Sequence, residues 1–390
     1  MIRNIKAITT ASFLSMLFLG VSSSLIGAAA RNIGLTPYQI GLMIAVQNLG
    51  FMVSVLISGA LADTYPKTRI LMIGSIILAI SLFAFYGWSN FWVNLAIMLA
   101  IGVGIGAYEG VTDAMLIDIH PQKESLYINI NHFFVTFGSI VITVYLIFLQ
   151  MAWRNAIIQA GVVVAILAVL FALMRLLPHG RKTESYTKRL RLLRRERLVI
   201  VLFIASALVV GMEGGTVGIL TTYLMDLRGF TQVTSKIGLV IFLTGMATGR
   251  LILGFITPRQ QIHRYIVGLF ALSTIVFSGM YFLNLGDVLY LIIFLAGLTL
   301  SAIFPLMLSL AGLVYPEIAG MVLGTIKVAI PIGGILLPFL LGLLARNSSF
   351  EIALIIFPLA GLLALILTYF QFKTLKKIEP VNAAESSDMN

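Results

Sequence analysis

Apolar residues run in blocks of about 20, separated by short clusters of Gly, Pro, Asn and basic residues. Wound as a helix at 1.5 Å per residue, such a block crosses about 30 Å of hydrocarbon. The pattern predicts twelve membrane-spanning helices, near 7–30, 38–62, 69–88, 91–117, 125–149, 153–177, 198–225, 231–257, 263–284, 287–313, 318–345 and 349–372. The first block follows a short basic stretch and ends in Ala28, Ala29 and Ala30, as a signal peptide would. It is too long for a signal core and is matched in the second half of the chain, so it reads as a retained helix. The expected fold class is an all-α polytopic membrane protein.

Composition agrees. Of 390 residues, 59% are hydrophobic and 11% charged, where a soluble domain carries about 25% charged residues. Without cysteine there is neither a disulfide framework nor thiol chemistry. The net charge of +11 is distributed by side. With both termini placed in the cytoplasm, 19 of the 26 Lys and Arg fall on that side, nine of them between Arg175 and Arg197. Five fall on the other side (Arg31, Arg154, Arg228, Lys236, Arg346), and Arg250 and Lys327 lie within spans. This is the positive-inside asymmetry of a multi-pass protein, expected here in a bacterial inner membrane, and not the signature of a nucleic-acid partner. The basic stretch "RKTESYTKRLRLLRRER" is expected to lie on anionic inner-leaflet lipids, and the polar end of the chain to be disordered.

A shift of 195 residues superimposes Gly20 on Gly215, Gly50 on Gly245, Gly102 on Gly297, Pro121 on Pro316 and Gly138 on Gly333. A constant offset through five spans makes the chain two six-helix halves in parallel orientation. The expected division is an N-terminal half at 1–177, a basic linker at 178–197, a C-terminal half at 198–377 and a tail at 378–390. Parallel repeats with a substrate site between them follow the logic of alternating-access transporters.

Five charged residues lie in the interior of the spans: Glu109, Asp113, Glu213, Arg250 and Lys327. Each costs roughly 2.5–3.5 kcal/mol to insert near a helix centre, so pairing or a wet cavity has to offset them. Glu109 and Asp113, four apart, share a helix face. By depth Glu109, His132, Glu213 and Lys327 can meet in one layer, and Lys327 duplicates the position of His132. Arg250 is expected to brace its helix against a neighbouring carboxylate. Three acids against two bases leave one negative charge in excess, the composition of a proton site, with sodium as competitor. Glu109, Glu213 and Asp113 are the proton candidates. Solute contacts are assigned to Glu109, Asn129, His132, Glu213 and Lys327, with Gln47, Asn48, Tyr108, Phe133 and Tyr223 as further polar and aromatic candidates. An enzyme is not expected. There is no His-Glu-x-x-His motif or metal-ligand cluster, and "GVGIGAYEG" lies inside a helix, where its glycines serve close packing and not a dinucleotide. No cofactor is expected.

The twelve-span, two-half plan resembles the major facilitator superfamily. The loop "GALADTYPKTR", with Gly59, Asp63, Lys67 and Arg69, is similar to that superfamily's signature after its second helix, and the resemblance implies a brace on the cytoplasmic gate. The second-half copy, "GFITPRQQIHR", has Pro258 where the acid would be. "GAYEGVTD" followed by "ININHFFVTFGSI" resembles the fucose–proton symporter branch and its sodium-coupled glucose transporter relatives. That resemblance implies that Glu109 and His132 contact sugar. The branch also carries a proton on an acid in its first helix, whereas "LGVSSSLIGAAA" contains none, which transfers that role to Glu109 or Glu213 or leaves a uniporter. The implied protein is a monomeric secondary transporter of a sugar or polyol. The alternative is proton-driven efflux of drugs or organic anions.

Overall fold

Local signals set the helix ends. The Asn4 side chain accepts the Lys6 N–H to start α1 (Ile5–Ile33), which stops at Gly34 with φ +86°. Thr36 and Gln39 form a reciprocal capping box at the head of α2 (Pro37–Leu61), with Pro37 in the first turn. α3 (Lys67–Ala84) ends earlier than its apolar run predicts. Tyr86 there has φ +51°, its N–H is taken by the Asn94 side chain, and Asn94 also donates to the Trp88 carbonyl. Then follow α4 (Phe91–Ile119), α5 (Glu124–Phe148), α6 (Trp153–Leu173), α7 (Arg197–Arg228), α8 (Gln232–Ile256) and α9 (Ile262–Phe282). The computed structural model describes residues 4–62, 65–120, 124–149, 152–174, 196–315 and 319–373; the basic linker stretch 175–195 and the tail from 374 lie outside them.

The last three spans are each broken: α10a (Leu289–Ser301) and α10b (Ile303–Val314), α11a (Ala319–Lys327) and α11b (Ala329–Asn347), α12a (Phe350–Ala353) and α12b (Ile356–Lys373). Each break lies just ahead of a proline, namely Pro305, Pro331 and Pro358. Proline has no N–H to return to the carbonyl four residues earlier, and its ring clashes there. Among the described residues, twelve helical spans, the broken ones counted whole, are long and apolar enough to cross a membrane, in agreement with the sequence.

Within each half the same helices pair: α1 with α5, α2 with α4 and α3 with α6, then α7 with α11b, α8 with α10a and α9 with α12b. The duplication is visible in the packing. A Cβ added at Gly50 would lie 2.1 Å from the Leu99 carbonyl oxygen, and one at Gly102 would lie 2.0 Å from that of Gln47. At an offset of 195 residues, Gly245 meets the Phe294 carbonyl at 2.2 Å and Gly297 that of Phe242 at 2.1 Å. These α2–α4 and α8–α10a crossings bring backbone against backbone, which only glycine permits. In its apolar stretch α1 is 78% buried and α12 only 33%, which makes the first central and the last peripheral.

The halves meet through α1–α7, α2–α11b and α5–α8. With α1 beginning and α12b ending at one face, called here the terminal face, the contacts of α1 and α2 gather toward the opposite face. Arg31 pairs with Asp226 at 2.8 Å, and Thr221 donates to the Gly27 carbonyl at 2.5 Å. Gly41 lies against Pro338 and Gly342. Lys236, whose charge is assigned above to the far side, is buried in the second turn of α8, where its ammonium donates to Asn32 Oδ1 at 2.9 Å.

Candidate functional site

α4 carries Glu109 and Asp113 one turn apart, and α5 presents its residues to them. His132 Nε2 lies 2.9 Å from Asp113 Oδ2. Asn131 Nδ2 donates to the other carboxylate oxygen at 3.0 Å and to Thr112 Oγ1 at 2.9 Å, while its own Oδ1 accepts from Ser12 on α1 at 3.3 Å. Asn131 is therefore the fully buried hub that fixes Asp113 against three helices. Sequence reasoning chose Asn129, whose side chain lies outside the described residues. Both asparagines stand in "ININH", and only the docking of α5 on α1 and α4 selects Asn131.

Glu109 has no hydrogen-bond partner among the described residues. Its carboxylate faces the Asp113–His132 pair, and the charges of both and of Lys327 act on it. Lys327 is the exposed last residue of α11a, at the break ahead of Pro331. Donor atoms of Glu109, Asp113 and His132 all fall within 4.8 Å of one another. Two carboxylates and an imidazole at that spacing suit a proton, a hydroxylated solute or a divalent cation, and the nearby ammonium opposes the last.

Glu213 does not join this layer. It binds Arg250, Oε1 to Nη2 at 2.7 Å, and the other end of the guanidinium donates to Thr136 Oγ1 at 2.8 Å. Arg250 on α8 thus ties α7 to α5 and spans the two halves. Thr136, missed in the sequence, lies one turn beyond His132, so α5 links the two clusters. The side chains of His132, Arg250 and Glu213 are 38%, 34% and 23% exposed, so both clusters border accessible space.

The other candidates make contacts outside these two clusters. Tyr108 is buried and shares a hydrogen bond of 2.8 Å with Ser75. Tyr223 is buried on the Met280 carbonyl and Arg228. Gln47, also buried, donates to the Ser22 carbonyl at 3.0 Å, and Asn48 donates to that of Ile44 at 2.9 Å. Phe133 is exposed and stacks on Phe137 at 5.9 Å. Of the loop motif, Gly59 lies in the last turn of α2, Arg69 is exposed, and Asp63 lies outside the described residues. Lys67 makes a buried 2.8 Å ion pair with Asp118 at the end of α4.

Residues 8–287 match the family model described as Major Facilitator Superfamily. Comparison with curated proteins gives no match. Among solved structures, a bacterial homolog to the human lysosomal transporter Spinster, in an inward-facing and occupied conformation, superposes with TM-score 0.76 at 14% identity, over 97% of this chain and 98% of that one. The nucleoside transporter NupG gives 0.78 at 14% over 96% and 100%. A D-xylose–proton symporter gives 0.77 at 13% over 96% and 99%. At these identities the likeness is one of fold.

Proposed function

Because the chain belongs to the major facilitator superfamily, we propose that it is a secondary active transporter, moving a sugar or polyol by alternating access with protons as the coupling ion. The observation that carries this reading is Glu109, a carboxylate with no hydrogen-bond partner among the described residues, facing the Asp113–His132 pair beside accessible space. An acid left open among partnered groups can take a proton or a solute hydroxyl. Asp113, held by Asn131 and His132, serves as the fixed partner, and His132 and Lys327 complete the solute site. The Glu213–Arg250–Thr136 bridge couples occupancy to movement of the halves. The closed contacts at the opposite face leave the solute to exchange at the terminal face. The positive-inside asymmetry supports assigning that face to the cytoplasm of a bacterial inner membrane.

Uptake of a labelled sugar and polyol panel into proteoliposomes, with and without a pH gradient, tests the proposal. Native protein accumulates its solute as protons run down the gradient, and Glu109→Gln loses accumulation. Loss of one charge-assisted hydrogen bond, roughly 1.5–3 kcal/mol, lowers solute affinity about 10- to 100-fold as well. Uptake that ignores the gradient removes proton coupling, and no uptake of any sugar or polyol by folded protein removes that substrate class. The exposed Lys327 favours a second reading, export of organic anions, which the same vesicles test with an anion panel.

A further inference from the structure

A groove of about 320 Å³ runs along the outside of the N-terminal half, between α3 and α6. Met72, Ile76 and Ile80 form one wall, and Ala165, Ala168 and Ala172 form the other. The groove exists because the α6 wall is built largely of alanine at helical spacing, so the larger α3 side chains have no equal partners to fill the seam. At either end of it the two helices touch. Phe83 packs on Gly161 toward the opposite face, and Thr68 donates to the Met174 carbonyl at 3.3 Å toward the terminal face. From Met72 to Phe83 the helix rises about 16 Å, close to the half-thickness of about 15 Å that one leaflet's hydrocarbon occupies.

The charge at its end narrows the occupant. Arg69 precedes Met72 by three residues, and Ile76 and Ile80 follow at intervals of four, so all four share one side of α3. Arg69 is exposed, at the terminal-face end of the groove. An apolar trough one leaflet deep, headed by a guanidinium, matches a phospholipid with an anionic headgroup. We propose that this α3–α6 groove is a binding site for the acyl chain of an anionic phospholipid, whose phosphate is held by Arg69. The fork of a guanidinium pairs two phosphate oxygens, which a neutral side chain cannot do. Such a lipid braces α3 from outside, on the helix that follows directly on the Gly59–Arg69 loop.

Native mass spectrometry of the full-length protein, titrated with phosphatidylglycerol or phosphatidylethanolamine, tests the site. The first phosphatidylglycerol adduct is expected at least about fivefold tighter than the first phosphatidylethanolamine adduct, because the ethanolamine ammonium offsets the phosphate charge and is repelled by the guanidinium that pairs it. Arg69→Gln, an exposed change, should weaken the first adduct of both lipids, phosphatidylglycerol the more, and so erase the preference. Ala168→Phe fills the trough and should weaken the first adduct of both lipids, with thermal unfolding reporting that the variant is folded. The proposal is overturned if Arg69→Gln leaves the preference intact, or if folded Ala168→Phe binds phosphatidylglycerol like the native chain. It is equally overturned if Ala168→Cys, in a chain with no other cysteine, cross-links in membranes to a second copy seated in the groove.

Discussion

Lys67 Nζ and Asp118 Oδ2 are 2.8 Å apart, with only 4% and 6% of the two side chains exposed. A pair so buried is held in place by mutual dependence. Removing one partner strands a charge, at a cost of about 3–5 kcal/mol, whereas replacing both by apolar groups of similar size is close to neutral. Lys67→Met should therefore lower unfolding stability in detergent by about that amount, and Lys67→Met with Asp118→Leu should recover most of it. Recovery of none of it would mean that Lys67 is held chiefly by other contacts. At this scale the sequence exposes the kinds of residue and hides their partners. Glu109, Asp113 and His132 stand out because an ionisable residue in an apolar run is conspicuous. That Asp113 takes both His132 and Asn131 while Glu109 stays open depends on the rotation of α5 about its axis, which no local pattern encodes.

Among the helices, the tightest approaches are made at glycines, and here the duplication yields a paired prediction. Val at Gly102 would drive its side chain into the Gln47 carbonyl, and Val at Gly297 into that of Phe242. Each should cost at or above the upper end of the roughly 1–3 kcal/mol typical of overpacking, because backbone cannot move aside as a side chain can. Thermal unfolding of both variants checks it; a loss at one site with none at its duplicate would show that the two crossings differ in tolerance. The span count was legible because hydrocarbon imposes its own length on every crossing helix. The early end of α3 was not, since apolar residues continue past Ala84 while the Asn94 side chain, folded back on Tyr86 and Trp88, holds the chain in a turn there. The repeat at 195 was readable in the punctuation, and the glycine contacts give it a physical reason: the same two crossings are built twice.

Across the molecule, Arg31–Asp226 and the Asn32–Gln232–Lys236 cluster join the halves at the opposite face. With no native cysteine to interfere, Asn32→Cys with Gln232→Cys should react with a short thiol cross-linker, and the product should lock solute movement until it is cleaved. A cross-linked protein that still transports freely would rule out separation of these ends as part of the cycle. Which ends are shut could not be read from the chain, because the acids and bases that meet there lie about 200 residues apart and look like ordinary loop-end charges. The two copies also differ in one respect that their shared ancestry hides. Where the second half has Pro305, Pro331 and Pro358, the first half has Gly110, Thr136 and Val163, inside helices that run unbroken. Each proline removes one rung of helical hydrogen bonding from the second half and none from its twin. The first half, which holds Glu109, Asp113 and His132, is thus the stiff anvil of the pair, and compliance is concentrated in the other.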